Sequence, residues 1–404
     1  MLVSRTLTTL LAAALGATLL LMVLEAALHL LPVQNGLAGA DPTPDWPTHR
    51  LRPNVHYTFS DAWDLRNVHR GVTNNMGYVA PFPYRPGSDG IAVVGNSFIE
   101  GLMNRYEETL QGQLARLLPD APAMLNFGVS GASLADYIGV GPMISRRFRV
   151  RWAVVVVVAG DFVGGFAPAP GYFGWNTGNT PSVQLRPQPV CTGAAPLLTC
   201  TAKLVRWLAI VRYTRGNLRF DLRHFLHTST KGAPRPCVPE GLQAGDADLL
   251  AAYADRLPAA YGVPPERVIL VFDADRAELY RSHGMSTSSS CATRDSVARN
   301  ALAAAAARRG EHVIDMGPVF AAYFKATGGR LDYSPSDWHW NAAGHRLAAA
   351  EVARIMRLGN RQVLPEFLAC DSTPGGQSLS AERRSSRRPA GSADTTWTRP
   401  SRHS

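Results

Sequence analysis

Five short apolar runs punctuate the chain: Ile91 to Val94, Ala123 to Phe127, Trp152 to Ala159, Val268 to Phe272 and Val313 to Met316. Each has the length of a β-strand and is rich in Val and Ile, without the apolar–polar alternation of a strand that faces water on one side. Strands buried on both faces read this way, which predicts a parallel sheet covered by helices. The segments between them supply those helices. Helical periodicity runs over Glu108 to Leu118, Asp295 to Arg309 and Ala342 to Leu358. Strand and helix alternating in this manner predict a doubly wound, three-layer α/β/α sandwich.

The ends and the middle follow other patterns. Leu7 to Leu24 is an uncharged run of 18 residues preceded by Arg5. That is long enough to cross a bilayer, and the positive charge on its N-terminal side directs the remainder out of the cytoplasm. Residues 1–33 therefore read as a membrane anchor. A signal segment cleaved near Ala38-Gly39-Ala40 and a buried helix of a soluble protein are the alternatives. Residues 34–88 are rich in Pro, Asn, Asp and aromatics and read as an irregular lead-in with a hairpin or two. Residues 89–370 form the main domain. Its third and fourth strands are separated by 162–262, too long for a single crossover and so an insertion. Residues 371–404, dominated by Ser, Arg and Pro, read as a disordered basic tail.

Composition narrows the class. The chain has 404 residues, 46% of them hydrophobic and 18% charged, which excludes disorder along its length. Its net charge of +10 is spread over scattered arginines with no basic stripe, which argues against a nucleic-acid partner. One exception is Arg212, Arg215, Arg219 and Arg223, which fall within about 80° of one another on a helix predicted over Ala202 to Leu226. They form either a solvated face or a contact for anionic lipid or an acidic polymer. The five cysteines include no C-x-x-C pair, and His49, His56 and His69 are too widely spaced for a metal site. In an exported protein, Cys191 and Cys200 are the simplest disulfide to propose.

Candidate chemistry lies at two strand ends. The first core strand runs into Gly95-Asn96-Ser97-Phe98-Ile99-Glu100-Gly101, which places Ser97 at the carboxyl edge of the sheet, ahead of a helix. Near the other end of the chain stands Asp337-Trp338-His339-Trp340-Asn341-Ala342-Ala343-Gly344-His345, on the same edge after the last strand. A hydroxyl nucleophile needs a base, and the base needs an acceptor that fixes its tautomer. Ser97, His339 and Asp337 fill those roles. Trp338 and Trp340 flank the base and are candidates for lining a sugar or acyl site. Glu100 reads as a first-turn helix charge and His345 as a packing residue.

These blocks, together with Thr73-Asn74-Asn75-Met76-Gly77-Tyr78 and Asn126-Phe127-Gly128-Val129-Ser130-Gly131, resemble the SGNH/GDSL hydrolases, in particular their membrane-anchored bacterial branch. The resemblance covers roughly residues 72–358. It implies a flavodoxin-like sandwich with a mainly parallel five-stranded sheet. It also implies Ser97 as nucleophile, His339 as base, Asp337 as its orienter and the amides of Ser97 and Gly128 as oxyanion donors, with no metal and no cofactor. Three features depart from the family. Asn96 replaces the usual Asp before the serine. Asp337 precedes His339 by two residues rather than three, a spacing shared with proteins similar to those of alginate O-acetylation. Gly160 stands where the family's Gly-x-Asn-Asp block carries an oxyanion-binding Asn, and Asn96 is a substitute donor to consider.

The function this implies is an exported serine esterase, anchored in the inner membrane and facing the periplasm or exterior, that hydrolyses short O-acetyl-type esters, with an acylated saccharide as partner. The alternatives are a polysaccharide O-acyltransferase and a catalytically impaired carbohydrate-binding or assembly protein of the same fold.

Overall fold

The computed structural model describes residues 2–177, 181–188, 205–218, 240–281, 293–334 and 337–361. All five cysteines, Arg219, Arg223 and the tail 371–404 lie outside these residues, and with them the proposed Cys191–Cys200 bridge.

Helix α1 (Leu2–Leu30) comes first, followed by an antiparallel hairpin of β1 (His56–Asp61) and β2 (Arg66–Val72). The central sheet then begins with β3 (Asp89–Gly95), and the short α2 (Ser97–Glu100) and α3 (Leu110–Leu117) lead to β4 (Ala123–Gly128). Helix α4 (Leu134–Arg147) connects to β5 (Arg149–Val157). Between β5 and the next core strand lie α5 (Asp161–Gly164), a hairpin of β6 (Phe173–Asn176) and β7 (Ser182–Leu185), the single turn α6 (Ala209–Arg212) and α7 (Asp246–Tyr261). Strand β8 (Val268–Phe272), α8 (Arg276–Arg281), α9 (Arg294–Arg308), β9 (His312–Asp315) and α10 (Met316–Thr327) follow. A small hairpin of β10 (Asp332–Tyr333) and β11 (Asp337–Trp340) precedes the last helix, α11 (Ala342–Arg361).

The five core strands are all parallel, in the order β4-β3-β5-β8-β9. Alternation along each strand divides the core in two. Ala92, Val94, Ala153, Val155, Leu270 and Phe272 point to the layer of α4, α7 and α9. Ile91, Val93, Val154, Val156, Ile269 and Val271 point to the layer of α3, α10 and α11. Both faces are therefore dry, as strands without polar alternation require.

Two boundaries differ from those read in the sequence. Helix α7 falls inside the expected insertion 162–262, yet Leu249, Leu250, Tyr253 and Leu257 bury into the main core. It is a sheet-covering helix, and the added material ends before it. The lead-in also joins the core: Trp46, Tyr78 and Tyr84 pack around Phe127, with ring centroids 5.0 to 6.3 Å from it.

Candidate active site

In this strand order the chain reverses direction beside β3, the first core strand, and clefts in open α/β sheets form at that point outside the carboxyl ends of the strands. Ser97 is the first residue of α2, immediately beyond β3. Asn96 caps the helix: its Oδ1 accepts the Phe98 N–H at 3.0 Å. The turn is pressed against the end of β4. A Cβ on Gly128 would lie 2.1 Å from the Glu100 nitrogen, so only glycine lets the two elements approach.

On the other side of the cleft, Asp337 and His339 are two apart on an extended strand and therefore share a face. The His339 ring Nδ1 bonds Asp337 Oδ1, and the His339 backbone N–H donates to the same oxygen at 3.0 Å. The opposite nitrogen, Nε2, lies 2.6 Å from Ser97 Oγ. With the proton on Nδ1, Nε2 is left to accept the serine hydroxyl. Asp337 is buried and the imidazole half-buried against Phe98, whose ring centroid is 4.8 Å away. Three residues separated by up to 242 positions thus form one chain of hydrogen bonds.

The other sequence candidates fall elsewhere. Trp340 is fully buried, packed edge-on against Phe98 and Phe320, with its indole N–H donating to Asp273 at 2.8 Å. It is a core residue and lines no substrate site. Trp338 points outward from the same strand and is 53% exposed. The Gly128 amide is already committed, since it donates to Asn126 Oδ1 at 2.8 Å inside the core. Asn96 is also engaged: its amide donates to Asp161 Oδ1 at 2.9 Å, so it braces the serine turn and is not directed at an oxyanion. Asp161 is buried, which holds its carboxyl well above the ordinary range, against the pull of bonds from Val158 N–H, Tyr137 O–H and Asn96.

Among the described residues, uncommitted amides beyond β3 and β4 include those of Ser97, which has no intrahelical carbonyl at the start of α2, and Gly131. Gly131 sits exposed at φ +80° in the loop beyond β4, and among the described residues its N–H has no acceptor. That loop is tied to the serine helix by the Ser130 hydroxyl, which donates to the Glu100 carboxylate. Glu100 is buried rather than solvated, and burial pushes its carboxyl up to about 7. Gly160, at φ +94° with open space where a Cβ would stand, starts α5.

Sequence reasoning missed the supports behind the triad. Asn104 donates to the Trp340 carbonyl at 3.0 Å and accepts the Tyr333 hydroxyl at 2.7 Å, which ties the segment after Ser97 to the hairpin that carries His339. Buried Arg276 bridges Asp273 at 3.0 Å and Asp332 at 3.1 Å beneath the same hairpin. No local spacing marks these residues. Their only signature is polar chemistry in a place that the tertiary fold makes dry. His345, read as a packing residue, is buried with its Nδ1 accepting the Leu110 N–H at 3.1 Å, and burial drives its pKa down to about 3.

No family model and no curated protein matches this sequence. Solved structures do. A two-domain esterase active on acetylated mannans is 12% identical, over 70% of this chain and 53% of its own, at a TM-score of 0.37. This chain thus spans about half the length of that enzyme. A lipolytic G-D-S-L family protein from Veillonella parvula is 11% identical over 67% of this chain and 98% of its own, at 0.31. A catalytic mutant of an acetylxylan esterase from Geobacillus stearothermophilus is 12% identical over 68% and 96%, at 0.33.

Proposed function

We propose that the protein is an exported, membrane-anchored serine esterase that removes short acyl groups of the O-acetyl type from a saccharide. The observation that carries this reading is the continuous hydrogen-bonded line from Asp337 through His339 to Ser97 Oγ, at the carboxyl edge of the sheet. Ser97 Oγ attacks the ester carbonyl carbon while His339 Nε2 takes its proton, and Asp337 stabilises the imidazolium that results. The tetrahedral oxyanion is held by the amides of Ser97 and Gly131, in place of the Gly128 and Asn96 donors read from the sequence. Collapse breaks the ester C–O bond, and His339 returns its proton to the departing sugar oxygen. Water then attacks the acyl-serine with His339 as base, which releases the acid and restores the hydroxyl. Exposed Trp338, next to the base, offers an aromatic surface on which a sugar ring can stack.

The anchor in this reading is the apolar stretch Thr6–Leu30 of α1, with a mean hydropathy of 2.3 over its most apolar window. Its flank carries positive charge on the N-terminal side, and such charge stays in the cytoplasm.

The test is labelling of the purified full-length chain with a fluorophosphonate, alongside acetate release from acetylated mannan and xylan. Labelling and release should both vanish in Ser97→Ala. Equal, slow ester hydrolysis by wild type and Ser97→Ala, with no acetyl transfer to a saccharide acceptor, would overturn the enzyme reading. Transfer that outpaces hydrolysis would instead make the protein an O-acyltransferase using the same acyl-serine.

A further inference from the structure

Where α1 ends, three parts of the chain, two of them 28 residues apart and the third more than 150 residues further on, are joined by buried polar contacts. The Ser60 hydroxyl at the end of β1 donates to the Pro32 carbonyl at 2.6 Å. Asn217, in the turn after α6, donates to Ser60 Oγ at 2.8 Å and accepts the Gln34 N–H at 3.3 Å. Both Ser60 and Asn217 are almost wholly buried. Glu25, on α1 itself, accepts the N–H groups of Ala209 at 2.6 Å and Ile210 at 2.9 Å, while Leu28, Val33 and Ala209 bury one another. The last turns of α1, the β1–β2 hairpin and residues 205–218 therefore form one foot, and the height of its outer surface above the end of the apolar helix is set.

That surface has an unusual composition for a region facing water. Trp207 is 72% exposed and Trp63, at the hairpin tip, 71%, and Leu30, Leu31 and Leu208 are exposed beside them. The Tyr213 hydroxyl donates to the Trp63 carbonyl at 2.6 Å, which links the two tryptophan-bearing segments. Aromatic residues flanking the end of an apolar helix are characteristic of the bilayer interface. Between hairpin and helix lies a groove of about 350 Å³, apolar along Leu30, Leu31 and Val68 and cationic along Arg70 and Arg212, with His29 beside them. The Arg212 Nε is buried and has no acceptor among the described residues. The nearby carboxylate, Glu25, is occupied by two backbone amides and His29.

We infer that this groove binds the phosphate of an anionic phospholipid between Arg70 and Arg212, with the acyl chains lying along Leu30 and Leu31 and with Trp63 and Trp207 seated in the headgroup layer. Guanidinium forks suit phosphate, and Arg212, one of the four arginines expected to share a helix face, lines this groove. The foot would hold the catalytic domain at a set orientation over the membrane. This inference rests on α1 being a retained membrane helix.

Full-length protein should be reconstituted into nanodiscs of phosphatidylcholine with or without phosphatidylglycerol, and retained lipid counted by native mass spectrometry. Wild type should retain phosphatidylglycerol selectively. The double variant Arg70→Gln/Arg212→Gln, with an unchanged melting temperature, should lose that selectivity by about tenfold. Brominated lipid should quench wild-type tryptophan fluorescence, and less so in Trp63→Phe/Trp207→Phe. Failure of the chain to enter nanodiscs at all would remove the anchor reading, and this inference with it. Entry without lipid selectivity, or without any effect of the variants, overturns the groove alone. Full competition by millimolar inorganic phosphate would reassign it to free phosphate. Displacement by an acidic oligosaccharide but not by phosphate would make the partner a polymer and likewise overturn the lipid assignment.

Discussion

Asn96 illustrates how a single atom type can be matched to a buried neighbour. The position usually holds Asp in the family that this sequence resembles, yet here the facing residue is a buried carboxylate, Asp161, 2.9 Å from the Asn96 amide. An Asp at 96 would place two carboxylates in contact, and one would have to stay protonated. Asn96→Asp should therefore lower stability by roughly 2 kcal/mol at pH 8 and by less at pH 5, as read by denaturant unfolding at both pH values. Glu100 leads to a second prediction. Unfolded, it titrates near 4.5; folded, burial pushes it up to about 7. Between those values the folded state binds more protons than the unfolded state, so stability contributed here is fully present below 4.5 and is lost as pH rises toward 7. Glu100→Gln keeps a neutral group in place. It should flatten that part of the pH profile and leave the variant more stable than wild type above pH 7, by up to ~3 kcal/mol. At the triad, Ser97→Ala, His339→Ala and Asp337→Asn should each remove most turnover of an activated acetyl ester. The double variants should lose little more, because the three act as one unit.

At the scale of elements, β11 separates two tryptophans that look equivalent in the sequence. Trp340→Phe removes the indole N–H from Asp273 and should cost about 1–3 kcal/mol, as seen in thermal melting. Trp338→Ala should leave stability within about 0.5 kcal/mol and raise KM for an acetylated saccharide more than for a small activated ester. The hairpin that holds them depends on Arg276. Arg276→Leu would leave buried Asp273 without its cation, while Asp332 keeps Arg330, and should cost about 3–5 kcal/mol, with a loss of activity that follows the loss of the His339 hairpin. The small elements escaped the sequence reading for a common reason. β10 and β11 are only two and four residues long, too short for any periodicity to register.

For the whole molecule, the one strongly apolar helix among the described residues and the positive flank before it set the expected topology. A reporter active only in the cytoplasm, fused after residue 370, should stay silent, and activity from that fusion would remove the exported reading. The sequence by itself determined the sheet and the edge that carries Ser97. Strands dry on both faces must be apolar throughout, and a serine directly after such a strand can only sit at its carboxyl end. Asp337 and His339 were legible because they follow the last core strand and so return to the same edge, whereas only the structure shows them on one face of an extended strand. Only the tertiary structure decided which polar groups around them were already spent. Gly128 and Asn96 looked available for an oxyanion, but Asn126, two residues before Gly128, and Asp161, 65 residues beyond Asn96, had already claimed their N–H groups. Burial likewise decided that Trp340 is core and Glu100 is not a surface charge. Hydrogen bonds and desolvation depend on what the folded chain brings alongside each group, and local sequence carries no record of those long-range neighbours.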